Sequence, residues 1–208
     1  MDLKEEQRLQ DMLINENELR QKGYNYICGI DEAGRGPLCG PVVASAVILD
    51  KDIIIEGVND SKKLTEKKRE ELYEKIMSNA LSVGVGMADI NEIEELNILG
   101  ATKLAMTRAV ENLKIKPDYV LIDGNQNVKT IEIEQKTLVS GDSKSLSIAC
   151  ASIIAKVTRD RLLRDMDEKY PEYGFAKHKG YGTKVHIEAI KKYGITDIHR
   201  PSFCKKFI

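Results

Sequence analysis

Apolar positions along the chain change period several times, and each change marks a new element. Residues 1–25 are charged, with Leu9, Leu13, Ile14 and Leu19 at roughly helical spacing and Gly23 behind them, which predicts an amphipathic lead-in helix. Tyr26 to Asp31 reads as a strand, broken by Ala33-Gly34-Arg35-Gly36-Pro37. Pro41 to Leu49, small and β-branched, predicts a second strand, and Leu81 to Ala88, alternating through Val83 and Val85, a third. Their hairpin-like succession predicts antiparallel neighbours. The link between the second and third strands carries Asp60-Ser61-Lys62-Lys63-Leu64 and then a charged helix from about Thr65 to Asn79.

Asp89 and Glu92 form a D-x-x-E capping box, which opens a long helix reaching about Leu113. Tyr119 to Asp123 is apolar almost throughout, as a buried strand is. Gly124-Asn125 turns the chain, and Thr130 to Glu134 predicts a short fifth strand. A second long helix is expected from near Asp142 to about Tyr170. Its first half (SIACASIIA) is small and apolar and predicts packing on the sheet; its second half (KVTRDRLLRDMDEKY) is charged and predicts protrusion. Residues 183–193 make a last amphipathic helix. Strands grouped early, then strands alternating with helices, indicate an α/β fold with one mixed sheet flanked by helices. The expected division is a helical lead-in at 1–25, an α/β domain at 26–170 and a small C-terminal helical extension at 171–208.

The chain's 208 residues, 42% hydrophobic, suffice for one full core. No run of about 18 apolar residues would cross a membrane, and Met1 to Glu6 is charged without a secretory apolar stretch, so a soluble cytoplasmic protein is expected. Cys28, Cys39, Cys150 and Cys204 form no C-x-x-C pair, and the scattered His178, His186 and His199 do not complete a zinc set; buried free thiols are expected. The net charge of −1 excludes a basic nucleic-acid coat protein, so contact with nucleic acid would rest on a local patch. With no obvious apolar surface stripe, a monomer is expected.

Four acids stand out by position: Asp31 and Glu32 before a glycine-rich turn, Asp123 before Gly124, and Asp142 after Gly141. Taken singly, an Asp before Gly is a turn residue and Asp142 a helix N-cap. Taken together, acids at strand ends and helix starts lie where α/β sheets gather their ligand sites. If the first and fourth strands are adjacent, Asp31 and Asp123 share an edge, and carboxylates so close need a cation between them. Hard oxygen ligands suit Mg²⁺ or Mn²⁺, and two such ions about 4 Å apart are a device for phosphodiester hydrolysis. Because neighbouring strand residues face opposite sides, Asp31 and Glu32 are expected to meet at such a site only if the strand bends between them.

These residues carry a family resemblance. Gly29 to Leu38 (GIDEAGRGPL), Asp60 to Leu64 (DSKKL), Ile122 to Asn125 (IDGN), Gly141 to Lys144 (GDSK), Ser147 to Asp160 (SIACASIIAKVTRD) and Lys179 to Thr183 (KGYGT) resemble the motifs of ribonuclease HII, in that family's order, across roughly residues 27–200. The resemblance implies a ribonuclease H-like mixed five-stranded sheet with a C-terminal helical extension. It implies two divalent ions, Mn²⁺ or Mg²⁺, held by Asp31, Glu32, Asp123 and Asp142 as catalytic acids. It further implies that Gly34, Arg35, Gly36 and Tyr181 recognise the 2′-hydroxyl of a ribonucleotide, the group that distinguishes RNA from DNA. The implied substrate is an RNA–DNA hybrid or duplex DNA containing ribonucleotides, cut on the 5′ side of the ribonucleotide. Lys62, Lys63, Ser143 and Lys144 are candidate phosphate contacts, the last two at an expected helix start. The sister type, ribonuclease HIII, resembles this pattern but lacks the Gly-Arg-Gly and carries Glu as its fourth acid. Pro201 departs from the family, which commonly has a second basic residue there, and weakens any phosphate contact at Arg200.

Two other classes compete. A non-catalytic module marking ribonucleotides would use the Gly-Arg-Gly turn and Tyr181 without needing the acids. An actin-like phosphotransferase would need a second glycine-rich phosphate loop, and none is present.

Overall fold

The structure, a computed structural model, describes residues 1–208. Its five strands are β1 (Ile27–Ala33), β2 (Val42–Ile48), β3 (Ser82–Ala88), β4 (Tyr119–Asp123) and β5 (Gln135–Leu138), in the sheet order β3-β2-β1-β4-β5. The first three pair antiparallel, as their spacing predicts; β4 lies parallel to β1, and β5 parallel to β4. The helices are α1 (Leu3–Asp11), α2 (Ile14–Gln21), α3 (Glu66–Asn79), α4 (Ile90–Glu111), α5 (Leu146–Lys169), α6 (Phe175–His178), α7 (Lys184–Tyr193) and α8 (Pro201–Cys204).

Alternation along β2, buried throughout, divides the core. Val47 and Leu49 face a layer with Leu9 and Met12 of α1, Leu72 and Ile76 of α3, and Ile153 of α5. Ala44, Ala46 and Ile48 face α4 through Ile93, Ala101 and Ala105. Glycine brings α4 very close: a Cβ on Gly84 would lie 2.0 Å from the Ala109 carbonyl. A third cluster forms the C-terminal lobe, with Tyr173, Phe175 and Ile190 packed on Leu38 and Leu163.

The lobe also corrects the reading of the histidines as scattered. His186 Nε2 lies 3.1 Å from His199 Nε2, and the His178 and His186 rings stack 4.4 Å apart. Burial pushes both His186 and His199 down to about 4.

Other boundaries differ for identifiable reasons. The lead-in is two helices, broken at Met12 and Leu13. Strand β5 begins at Gln135, not Thr130, because Ile131 and Ile133 turn inward from a loop to cap the core, so their alternation mimics a strand. The Gln135 side chain holds that loop through the Val128 amide and the Val128 and Ile131 carbonyls. Helix α5 starts at Leu146 with Ser145 as its N-cap; Asp142 lies earlier, on a tight turn at Gly141–Ser143. The charged half of α5 does not protrude at its beginning: Arg159 and Leu163 are buried beneath the lobe, and Asp160 is buried between Lys156 and Arg69 of α3. All four cysteines are free and buried, and no helix is long and apolar enough to cross a membrane.

Candidate active site

Pairing of β1 with β4 stops at Ile30–Ile122, whereas pairing with β2 runs on to Ala33–Val43. Past Ile30 the strand is therefore open on one side, and there it carries Asp31 and Glu32. No break separates them, contrary to expectation. Asp31 faces α5 near Ser152 and accepts from the Glu32 amide at 2.7 Å, and Glu32 borders both the main cleft and a hollow on the α4 side with Thr102 and Asn125. Asp123, the last residue of β4, borders the same two spaces. The acids meet because the cleft straddles the end of the sheet.

Asp123 Oδ1 accepts from the Gly141 amide at 2.6 Å, which ties β4 to the turn carrying Asp142. Asp142 Oδ2 lies 3.9 Å from Lys62 Nζ, and its carboxyl meets that of Asp60. Asp60 is thus a fifth acid of the group. It also accepts from the Lys62 amide at 2.9 Å, which fixes the short turn at Ser61–Lys63.

The acids strain one another electrostatically. Burial pushes the Asp31 carboxyl, only 4% exposed, well above the usual carboxylate range, and Glu32 and Asp123 add to this, against hydrogen bonds from Ser152 and the Glu32 amide. Burial also raises Glu32, opposed by Arg35, whose Nη1 lies 3.3 Å from Glu32 Oε1. Asp142 is raised by burial and then by Asp60 and Asp123, with Lys62 opposing. On Lys62 burial acts downward, but Asp31, Asp142, Asp60 and Asp123 outweigh it and raise the ammonium.

Such a set of hard oxygen donors fits Mg²⁺ or Mn²⁺. No three His, Cys, Asp or Glu side chains converge closely enough to form a ready-made coordination sphere. The fit rests on the donor chemistry and on the clustered charge, for which Lys62 is the compensating cation seen among four acids.

The same cleft, of about 180 Å³, is also lined by Gly34, Arg35, Gly36 and Tyr181, the last 48% exposed. Two fully buried arginines shape this wall. Arg200 donates to the carbonyls of Gly34 (2.6 Å), Arg35 (3.1 Å), Pro37 (2.9 Å) and Gly40 (2.6 Å). Arg159 donates to those of Pro41 (3.1 Å), Cys39 (2.9 Å) and Lys179 (2.9 Å). Gly34 is required: its φ is +99°, and a Cβ would lie 2.2 Å from Arg159 Nε.

Asp31, Glu32, Asp123, Lys62, the glycine turn and Tyr181 therefore share one cleft, with Asp142 at its edge. Lys63, Ser143 and Lys144 do not. They line a separate groove against Arg8 and Asn15 of the N-terminal helices. The residues missed from sequence are Asp60, Ser61, Ser152, Lys156, Arg159 and Arg200. Ser152, Lys156 and Arg159 sit at i, i+4 and i+7, a single polar stripe on α5 legible as a helix face turned to a site. Arg200 gives no such signal, since the carbonyls it holds lie far away in sequence.

A mixed sheet of this order, with an acid-lined cleft at the heads of its central strands, is the architecture of the ribonuclease H-like fold. Residues 28–206 match the family model described as Ribonuclease HII. The chain is 62% identical over 205 residues to the ribonuclease HII of Acetivibrio thermocellus, covering 99% of this chain and 80% of that one. It is 60% identical over 205 residues to that of Clostridioides difficile, with the same coverage. The crystal structure of the ribonuclease H2 from Pyrococcus horikoshii superimposes with a TM-score of 0.73 at 31% identity, covering 87% of this chain and 96% of that one. The chain belongs to the ribonuclease HII family and is a metal-dependent endoribonuclease.

Proposed function

We propose that the protein hydrolyses the phosphodiester on the 5′ side of a ribonucleotide embedded in duplex DNA or in an RNA–DNA hybrid, as a step in removing ribonucleotides from DNA. The observation that carries this reading is the cleft itself. Acids and the Gly34-Arg35-Gly36 turn with Tyr181 line the same cleft, so one bound strand would meet both.

Asp31, Glu32, Asp123 and Asp142 would hold two divalent ions, Mn²⁺ or Mg²⁺. Bound there, the ions would acidify the attacking water and offset charge on the leaving 3′-oxygen. Water adds to phosphorus and the bond to the 3′-oxygen breaks, leaving a 3′-hydroxyl and a 5′-phosphate. Asp31 and Asp123 are held by the Glu32 and Gly141 amides, which would orient their oxygens for the ions. The turn at Gly34 to Gly36 lets backbone approach the ribose closely, and a 2′-hydroxyl, both donor and acceptor, is the group such a wall distinguishes. Tyr181 offers a ring to stack on the sugar, and Arg35, half exposed, a charge for a phosphate. Lys62, beside the acids, would meet the nearest phosphate, and Lys63, Ser143 and Lys144, in the neighbouring groove, would meet backbone further along the strand.

The test is cleavage of duplex DNA bearing one ribonucleotide, with Mg²⁺ or Mn²⁺ and with chelator as control. A single metal-dependent cut on the 5′ side of that nucleotide is expected. Cutting of continuous hybrid alone would remove the 2′-hydroxyl role from the glycine turn and Tyr181. Binding without cutting of either substrate would favour the non-catalytic marker of ribonucleotides instead.

A further inference from the structure

Glu16 on α2 is buried, only 2% exposed, yet its side chain makes no hydrogen bond within its own helix. Its Oε1 accepts from Ser145 Oγ at 2.6 Å, Ser147 Oγ at 2.7 Å and the Ser147 amide at 3.1 Å. Its Oε2 is buried without a partner. Docking of these helices does not require a carboxyl, because Leu9, Met12, Leu13 and Leu19 already bury them. An apolar side chain at this position would pack without stranding an oxygen. What the carboxyl adds is a directional hold on the start of α5.

The hold extends along four consecutive residues. Asn15 Nδ2 donates to the Lys144 carbonyl at 3.1 Å, Glu16 takes Ser145 and Ser147, and the Leu146 amide donates to the Met12 carbonyl at 3.0 Å. This stretch is welded to the acids. The amides of Lys144 and Ser145 donate to the Gly141 carbonyl at 2.9 and 2.8 Å, and the Gly141 amide in turn donates to Asp123. Gly141 packs closely here: a Cβ would lie 2.7 Å from Ile148 Cδ1 and 3.2 Å from Asp123 Oδ1. A displacement at the start of α5 is thus passed to Asp123 and Asp142 together.

We propose that Glu16 is a positioning residue for the hydrolytic reaction. It locks the first turn of α5 and, through Ser145 and Gly141, sets the relative placement of Asp123 and Asp142. The proposal rests on the reading of those two residues as acids of the site. Glu16 touches neither substrate nor ion, so its removal should loosen ion binding and turnover while leaving the substrate wall intact.

The experiment uses the full chain with Glu16→Ala, Glu16→Gln, Asp142→Asn and the Glu16→Ala/Asp142→Asn double variant. Circular dichroism establishes folding. Turnover and KM are measured on the single-ribonucleotide duplex, and Mn²⁺ binding without substrate by the electron paramagnetic resonance of free Mn²⁺. Glu16→Ala should lose about 10–100-fold in Mn²⁺ affinity or kcat, the range for groups that orient metal-binding residues, with KM for the duplex little changed. Glu16→Gln keeps an accepting oxygen and should recover most of that loss. The double variant should lose clearly less than the two single losses combined, because part of the effect of Glu16 runs through Asp142, the remainder through Asp123. Wild-type kcat and Mn²⁺ affinity in Glu16→Ala, or losses that simply add in the double variant, overturn the proposal. An Asp142→Asn protein as active as wild type overturns the acid assignment beneath it, an outcome distinct from the first. Should Glu16→Ala not fold, Ser147→Ala removes one donor and keeps the carboxyl; reduced Mn²⁺ affinity supports the proposal, and unchanged affinity overturns it.

Discussion

Asp31 shows how a single residue trades stability for chemistry. Its ordinary value is 3.8, and burial with two acidic neighbours raises it, so the folded state prefers the proton. The stability this group contributes is full below its unfolded value and is lost as pH rises through the raised one, so above that range the group is a liability to the metal-free fold. Asp31→Asn should therefore raise the metal-free thermal midpoint at pH 7 while lowering cleavage by orders of magnitude, both read on one preparation. Mn²⁺ should raise the wild-type midpoint, by preferential binding to the folded state, and raise that of the variant less. A variant that melts lower than wild type would contradict the account. Arg200 shows the reverse, a charge kept for structure. Arg200→Ala strands carbonyls at Gly34, Pro37 and Gly40, each worth about 1–3 kcal/mol when left unpaired. Lysine cannot reproduce the planar fork. Urea unfolding should place Arg200→Lys between wild type and Ala; equality with wild type would show that the fork is dispensable.

Among the elements, long α4 carries an unanticipated kink. Asn97 lies at φ 57°, ψ 171°, a region nearly reserved for glycine, and its Oδ1 caps the next turn through the amides of Leu99 and Gly100. Alanine there loses the cap and keeps the strain; glycine loses the cap and relieves the strain. Asn97→Ala should cost about 1–2 kcal/mol by chemical denaturation, and Asn97→Gly clearly less. Equal losses would mean that the backbone is not strained. What sequence revealed of the elements follows one rule. The capping box at Asp89 and Glu92 and the buried run at Tyr119–Asp123 were legible because their determinants are local. The fifth strand was not, because Ile131 and Ile133 are apolar for a tertiary reason, and edge strand β5 carries no apolar run of its own. The acids were legible as types at strand ends. Their closeness was not, since it depends on β1 lying beside β4 and on an amide of Gly141.

On the scale of the molecule, the C-terminal lobe closes one wall of the cleft through Lys179 and Tyr181 and hides two histidines. His186 and His199 are held near 4, below the ordinary 6.5, so the folded state favours their neutral forms. The stability they contribute is present above pH 6.5 and is lost as pH falls towards 4. Hydrogen exchange in residues 171–208 should therefore accelerate on going from pH 7 to pH 5, after correction for intrinsic rates, and by more than in the central strands. Equal protection at both values would show the histidines to be passive packing. The pairing of β1 with β4 carries a last consequence, for the life of the polypeptide before it is an enzyme. Asp31 emerges early from the ribosome, but Ile30 finds Ile122 only more than ninety residues later, and Arg200, which shapes the glycine turn, comes later still. Contacts so remote in sequence form slowly. A nascent chain therefore holds Asp31 apart from Asp123 and Asp142 until at least residue 142 has been made, and the glycine turn waits longer still for Arg200.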